Sequence, residues 1–266
     1  MQNNYLVFVS SPDILLKLSG ESNVTFLFPI QDFTVGFPHP FSLSDIQVEH
    51  AYLFVNRILD CEGIERFKEI ISKLPSNIEG IVFDDLGILE VLNQVPNSLT
   101  KILFLNHFNC NTISVNGYLE YVDSVVVSTD LTEEETHQIV SNSSKPVCLY
   151  TFGHVNIMYS RRRLITNYNE HFQKKAPLIC SLTNDLKQEF KIVENEYGTV
   201  IYSSKPFNGL KYRQFHPVLF HLINPLFLEG DEVTILLHRT DDLRSVYPYT
   251  YLSEEETIVR IKERDL

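Results

Sequence analysis

From Tyr5 onward the chain alternates short apolar runs with polar stretches whose apolar residues recur at helical spacing. Residues 5–9 read as a strand, Ser10-Ser11-Pro12-Asp13 as a capped turn, and Ile14, Leu15, Leu16 and Leu18 as the helix that follows. Runs at 24–28, 51–59, 81–83, 102–105, 125–127 and 147–152 supply six further strands. Between them, Ile64, Phe67, Ile70, Ile71 and Leu74 share one helical face, and a second helix runs from Gly87 to Leu92. Thr132 and Glu135 have the spacing of a capping box, which marks another helix start. The stretch 29–41 is too rich in Pro and Phe for regular helix and is expected to pass over the barrel mouth, while residues 42–45 start a short helix.

Apolar runs without in-out alternation, separated by helices, imply a parallel sheet covered on both faces. Seven such units before residue 153 predict an α/β fold, a compact (β/α)8 TIM-like barrel with room for irregularity. An open doubly wound sheet is the runner-up, but no glycine-rich phosphate loop follows the first strand. Beyond residue 170 the runs 178–182, 189–193 and 199–203 read as a small β-rich appendage after strand seven. The expected division is 1–170 for the main barrel, 171–215 for the β-rich segment and 216–266 for barrel closure. In that last part 218–228 reads as a short helix, 233–237 as the eighth strand, and an acidic helix starts near Ser253.

Charge and cysteine usage narrow the chemistry. A net charge of −12 disfavours broad capture of nucleic acid, which needs a field of Lys and Arg. The four cysteines, Cys61, Cys110, Cys148 and Cys180, form no CxxC pair and indicate neither a zinc ribbon nor a disulfide framework. No run is long enough to span a bilayer, and the N-terminus lacks the pattern of a secretory signal, so a cytoplasmic protein with no membrane partner is expected.

Strand C-termini of a parallel barrel converge on one face, which would bring Asn56, Asp84, Asp85, His107, Asn109, Asp130 and the 153–163 loop to one cleft. Asp84 and Asp85 can supply an acid and a base, yet adjacent residues at a strand end point in opposite directions, and one of them can instead cap the next helix. His107 can orient a substrate, act as a base or serve as a structural histidine. Arg161, Arg162 and Arg163 suit carboxylate or phosphate recognition, or pairing with the chain's own acids. No Gly-x-Ser-x-Gly elbow, Walker loop, HExxH helix or Cys-His protease pattern occurs.

After the buried run 147–152, the step Phe152-Gly153 followed by Tyr159-Ser160 and Arg162 resembles the motif region of peptidase family U32, the collagenase-like proteases. Residues 54–56, 80–87 (GIVFDDLG), 128–135 (STDLTEEE) and 190–205 are similar to further family segments, so the likeness covers residues 5–210 in outline. The two motif cysteines of the family fall on Asn156 and Arg163. The resemblance implies a TIM-like barrel and a peptidase or hydrolase, with Tyr159, Ser160, Arg162, Asp85 and His107 as catalytic candidates. Asn56, Asn109, Asp130, Gly153 and Arg161 are the matching substrate-binding candidates, for a small molecule or a peptide. Several members are linked to hydroxylation of RNA bases or quinone precursors with an iron–sulfur cluster on four cysteines, which makes RNA modification an alternative. That chemistry needs thiolate ligands, and none lies between Leu164 and Ile179, so no cofactor is expected. A further alternative is a non-catalytic partner of an active homologue, and a weaker one is local RNA binding through the arginine run with Lys174 and Lys175.

Overall fold

The computed structural model describes residues 3–238. Its first half repeats one unit, in which β1 (Tyr5–Phe8), β2 (Val24–Pro29), β3 (Ala51–Val55), β4 (Ile78–Phe83), β5 (Thr100–Leu103), β6 (Ser124–Val127) and β7 (Val147–Gly153) lie side by side in parallel. Helices α1 (Pro12–Leu18), α2 (Cys61–Ile71), α3 (Leu86–Gln94), α4 (Thr112–Leu119) and α5 (Glu133–Asn142) cover the outside. All seven strands fall on the predicted runs, and α5 begins with the predicted box: Thr132 Oγ1 accepts from the Glu135 amide at 3.3 Å and Glu135 accepts from the Thr132 amide at 2.9 Å.

After β7 the chain leaves the barrel. Strands β8 (Asn156–Ser160), β9 (Ile179–Thr183), β10 (Glu189–Asn195) and β11 (Gly198–Ser203) form an antiparallel sheet in the order β8-β11-β10-β9, with helix α6 (Leu164–Phe172) between β8 and β9 in the chain. Strand β8 lies within the stretch expected to be loop, because its pairing partner is β11, about forty residues downstream, a distance beyond local pattern. The carboxylate of Glu194, buried on β10, accepts from the Ile165 and Thr166 amides at 2.6 and 3.0 Å, so it satisfies the first turn of α6. The chain departs and returns through a narrow neck, where the Ser203 amide donates to the Val155 carbonyl at 2.9 Å and the Val155 amide to Ser203 Oγ at 3.0 Å.

The two-residue β12 (Phe207–Asn208) then pairs antiparallel with the end of β7, outside the barrel. The eighth barrel strand is β13 (Val218–Asn224), parallel to both β7 and β1, and residues 233–237 lie inside helix α7 (Gly230–His238). The expected order of helix and strand is therefore reversed here. Pro217 and Pro225 bound a strand as readily as they limit a helix, and Val233 and Leu236 are buried at helical spacing where α7 packs on α1. Lys17 of α1 pairs with Asp231 at 2.7 Å. The acidic helix expected near Ser253 lies outside the described residues.

Alternate residues of each strand face the barrel axis, and the small ones make room for the large. A Cβ on Gly80 would collide with the Tyr52 ring, which packs edge-on to Phe220 with centroids 5.4 Å apart. A second, smaller core of Val35, Val193, Val200, Tyr202 and Leu226 joins the 30–41 excursion to the appended sheet. The excursion does pass over the mouth, and side chains hold it there: Asn56 accepts from the Val35 amide at 2.9 Å and donates to its carbonyl at 3.1 Å. Asn195 donates to the Thr34 carbonyl at 3.0 Å, and Tyr197 donates to the Asp32 carboxylate. Among the described residues no helix is long and apolar enough to cross a membrane.

Candidate functional site

The C-terminal ends of the barrel strands converge on a narrow cavity of about 30 Å³. Phe8, Phe37, Phe54, Phe104, Tyr150 and Tyr202 give it aromatic walls. Asp84, Asn106, Thr129, His154, Asn156 and Asn224 supply polar groups, so the lining is mainly apolar with a few convergent polar atoms. Excursion, barrel and appended sheet all contribute, through Phe37, the strand ends and Tyr202 respectively.

Asp84 follows Gly80 and Val82 on the inward side of β4 and lies beside Asn56 and Phe104, the residues that continue the paired strands β3 and β5. Burial, reinforced by the neighbouring Asp85 charge, pushes its carboxyl up to about 7, with its own backbone amide opposing. Asp85 points the other way and caps α3, accepting from the Gly87 amide at 2.7 Å. Both carboxylates also border a shallower and roomier groove, of about 520 Å³, with Ile58, Leu86, Leu105, His107, Phe108 and Tyr159. Asp84 and Asn106 line both hollows and so sit at their junction.

His154 is 4% exposed and stacks edge-on to Phe227. Its Nδ1 lies 2.7 Å from the Ser203 carbonyl, which can only accept, so Nδ1 carries the proton. Burial, with Lys191 adding, lowers its pKa, so the ring is neutral at pH 7 and Nε2 is left as an acceptor. Tyr150 donates to the His154 carbonyl at 2.8 Å and Tyr202 to the Gly36 carbonyl at 2.9 Å, and burial raises both phenols far above neutrality. These tyrosines therefore shape the cavity as fixed hydrogen-bond donors.

Of the residues expected from sequence to form the site, Tyr159, Asp85 and His107 meet at the groove, and Asn56 lines the cavity while its amide holds Val35. Burial raises the Tyr159 pKa, opposed by the Ile58 amide and by Arg161 and Arg57. His107 Nδ1 pairs with Asp130, which places both on the rim. Ser160 and Arg162 lie apart from this group: Ser160 Oγ accepts from the Arg162 amide at 3.1 Å in the turn after β8, and Arg161, Arg162 and Arg163 are exposed. Arg161 faces Asp60 at 3.9 Å. Asn109 is fully buried away from the cavity, its side chain donating to the Val126 carbonyl at 2.9 Å. Gly153 has φ +132°, and a Cβ there would strike the Asn224 carbonyl, so the position is a close approach of β7 and β13. The sequence reading places Asp84 in the cleft, and in a carboxylate pair, without setting it above Asp85, and it does not single out His154. Strand parity counted from Gly80 marks Asp84, while His154 depends on Ser203 and Lys191, which no short-range pattern connects to it.

The cysteines do not fit an iron–sulfur cluster. Cys61 lies on α2, Cys148 in the barrel core, Cys180 on β9, and the Cys110 thiol donates to the His107 carbonyl at 2.8 Å. Among the described residues no three His, Cys, Asp or Glu side chains are grouped as a metal would require.

The family model described as Peptidase family U32 matches residues 42–213, well over half of the chain. No curated protein matches it. A crystal structure of the Bacillus cereus spore cortex-lytic enzyme SleL superposes with a TM-score of 0.41 at 10% identity, covering 89% of this chain and 74% of that one.

Proposed function

From the premise that the chain belongs to peptidase family U32, we propose that it binds a small substrate at the barrel mouth, in the groove that adjoins the cavity, and hydrolyses it, with Asp84 at the junction as the general base. The observation that carries the reading is the Asp84 carboxyl itself, set in an aromatic wall with its pKa up to about 7. A carboxyl with that value accepts and returns a proton at neutral pH, which is what general acid–base catalysis asks of it. In amide hydrolysis, Asp84 takes a proton from water as the water oxygen attacks the carbonyl carbon. The same proton then passes to the amine that leaves. Asn106, Thr129 and Asn156 stand in the same cavity as donors for the carbonyl oxygen. The test is turnover of a panel of short amides and peptides across pH. Activity should rise with a limb near pH 7, and Asp84→Asn should lower kcat by about a hundredfold or more. Undiminished turnover by that variant would remove Asp84 from the reaction.

A non-catalytic binding role has an observation of its own. Strand β9 is an edge of the appended sheet, and Leu178, Ile179 and Leu182 around it are each close to half exposed. Ligand binding without turnover of any member of the panel would favour that role.

A further inference from the structure

Resting on the reading of Asp84 as a general base, we infer that the narrow cavity behind it is the berth of the attacking water, and that His154 Nε2 holds that water against Asp84. A cavity of about 30 Å³ offers two water-sized places, at roughly 10–15 Å³ each, and nothing larger fits. Its walls are fixed. Tyr150 is tied to the His154 carbonyl at 2.8 Å and Tyr202 to the Gly36 carbonyl at 2.9 Å, while the rings of Phe8, Phe37 and Phe54 pack on one another with centroids 4.8 to 5.7 Å apart. The polar part of the lining is left to a small molecule. Among the described residues, the side chains of Asp84, Asn106, Thr129 and Asn156 make no hydrogen bond to another residue, and His154 makes one, through Nδ1. Polar groups that converge on a cavity of this size without partners in the chain are served by ordered water.

The lining divides by hydrogen-bonding sense. His154 Nδ1 gives its proton to the Ser203 carbonyl at 2.7 Å, so Nε2 of the neutral ring can only accept, and the ionised Asp84 carboxylate likewise only accepts. A water between these two acceptors has both hydrogens committed, which leaves a lone pair of its oxygen for the carbonyl carbon. Asn106, Thr129 and Asn156 bring amide and hydroxyl hydrogens, which suit a carbonyl oxygen in the second place. As the new C–O bond forms, Asp84 takes one proton from the water. That proton passes to the nitrogen as the C–N bond breaks, and the hydrogen held by His154 stays on the oxygen as the O–H of the acid product. Asp84 and Asn106 border both hollows, so the water waits on one side of the junction and the amide arrives from the groove on the other.

A high-resolution crystal structure of the unaltered chain tests the berth, and kinetics on the amide panel test the role of His154. The crystal should show two ordered waters, one of them within hydrogen-bond distance of both Asp84 and His154 Nε2. His154→Asn keeps a donor for the Ser203 carbonyl and removes the acceptor, so kcat should fall about tenfold, the worth of one hydrogen bond, while KM stays unchanged. His154→Gln, whose longer amide brings an oxygen toward the place of Nε2, should recover part of that loss. A dry cavity, or waters that reach only one of the two groups, would overturn the berth and leave Asp84 standing as the base. Ordered waters together with an unchanged kcat in His154→Asn would overturn the role of His154. Absence of turnover of every amide by the unaltered chain would overturn the hydrolytic reading and the inference with it.

Discussion

Asp84 shares the inner side of β4 with Gly80 and Val82, whereas Asp85 turns outward to the first turn of α3, and this difference of one position decides which carboxyl feels the cavity. A carboxyl whose pKa is higher in the folded chain than in the unfolded one binds its extra proton between the two values, here 3.8 and about 7. Stability therefore falls as pH rises through that window, and the cost is fully present above it. Asp84→Asn should be more stable than the unaltered chain at pH 8, by about 4 kcal/mol, and the two should converge below pH 4. Coincident melts at both pH values would show that the group is not held up. The same reasoning separates the thiols. Cys148, its pKa pushed up to about 12 by burial with Ser124 opposing, should resist a neutral-pH disulfide reagent until the chain unfolds, while exposed Cys61 should react at once. At this scale the sequence showed which residues gather at one end of the barrel. It could not show that Asn109 ties a loop, because that depends on the Val126 carbonyl, seventeen residues away, whereas the Ser160 turn is local and a Ser-Arg run is compatible with it.

Strands β1 to β7 were legible because each is a buried apolar run, so composition alone marks them. The pair β13 and α7 was read in reverse because both segments are short and apolar, and periodicity does not separate a buried strand from a buried helix of that length. Strand β8 is not marked by a buried apolar run, because none of its five residues is fully buried and its order comes from β11. Element α6 offers a test. Its first turn is satisfied from β10 by Glu194, which also accepts from the Thr199 hydroxyl at 2.8 Å. Glu194→Ala leaves those amides without a partner and should cost about 1–3 kcal/mol, read as a lower midpoint in urea. An unchanged midpoint would mean that water replaces the carboxylate. Gly80→Ala drives a methyl into the Tyr52 ring and should lower stability by about 1–3 kcal/mol in the same assay.

For the molecule as a whole, the site belongs to three parts of the chain, and contacts between them set its shape. Asp32 is the shared fastening, accepting from Tyr197 and from Arg66 at 2.9 Å, with Arg57 stacked 3.9 Å above the Tyr197 ring. Tyr197→Phe should speed amide hydrogen exchange across residues 30–41 several-fold while the barrel strands keep their protection. Equal protection in both proteins would mean that the Val35 core alone holds the excursion down. The barrel with its appendage was legible from the change of rhythm after residue 170, whereas the fastening was not, since Asp32 and Tyr197 are joined by the fold and not by any spacing.

The neck at Val155 and Ser203 also bears on how the chain reaches this structure. The last seam of the barrel joins β7 to β13, and in an unfolded chain these are separated by the whole inserted sheet. Once the neck is tied, the length left to search runs only from Ser203 to Val218. The appended sheet is a long-range segment by sequence and a short-cut by topology, so its early assembly lowers the entropy lost on closing the barrel and makes the roof of the site a kinetic partner of the walls beneath it.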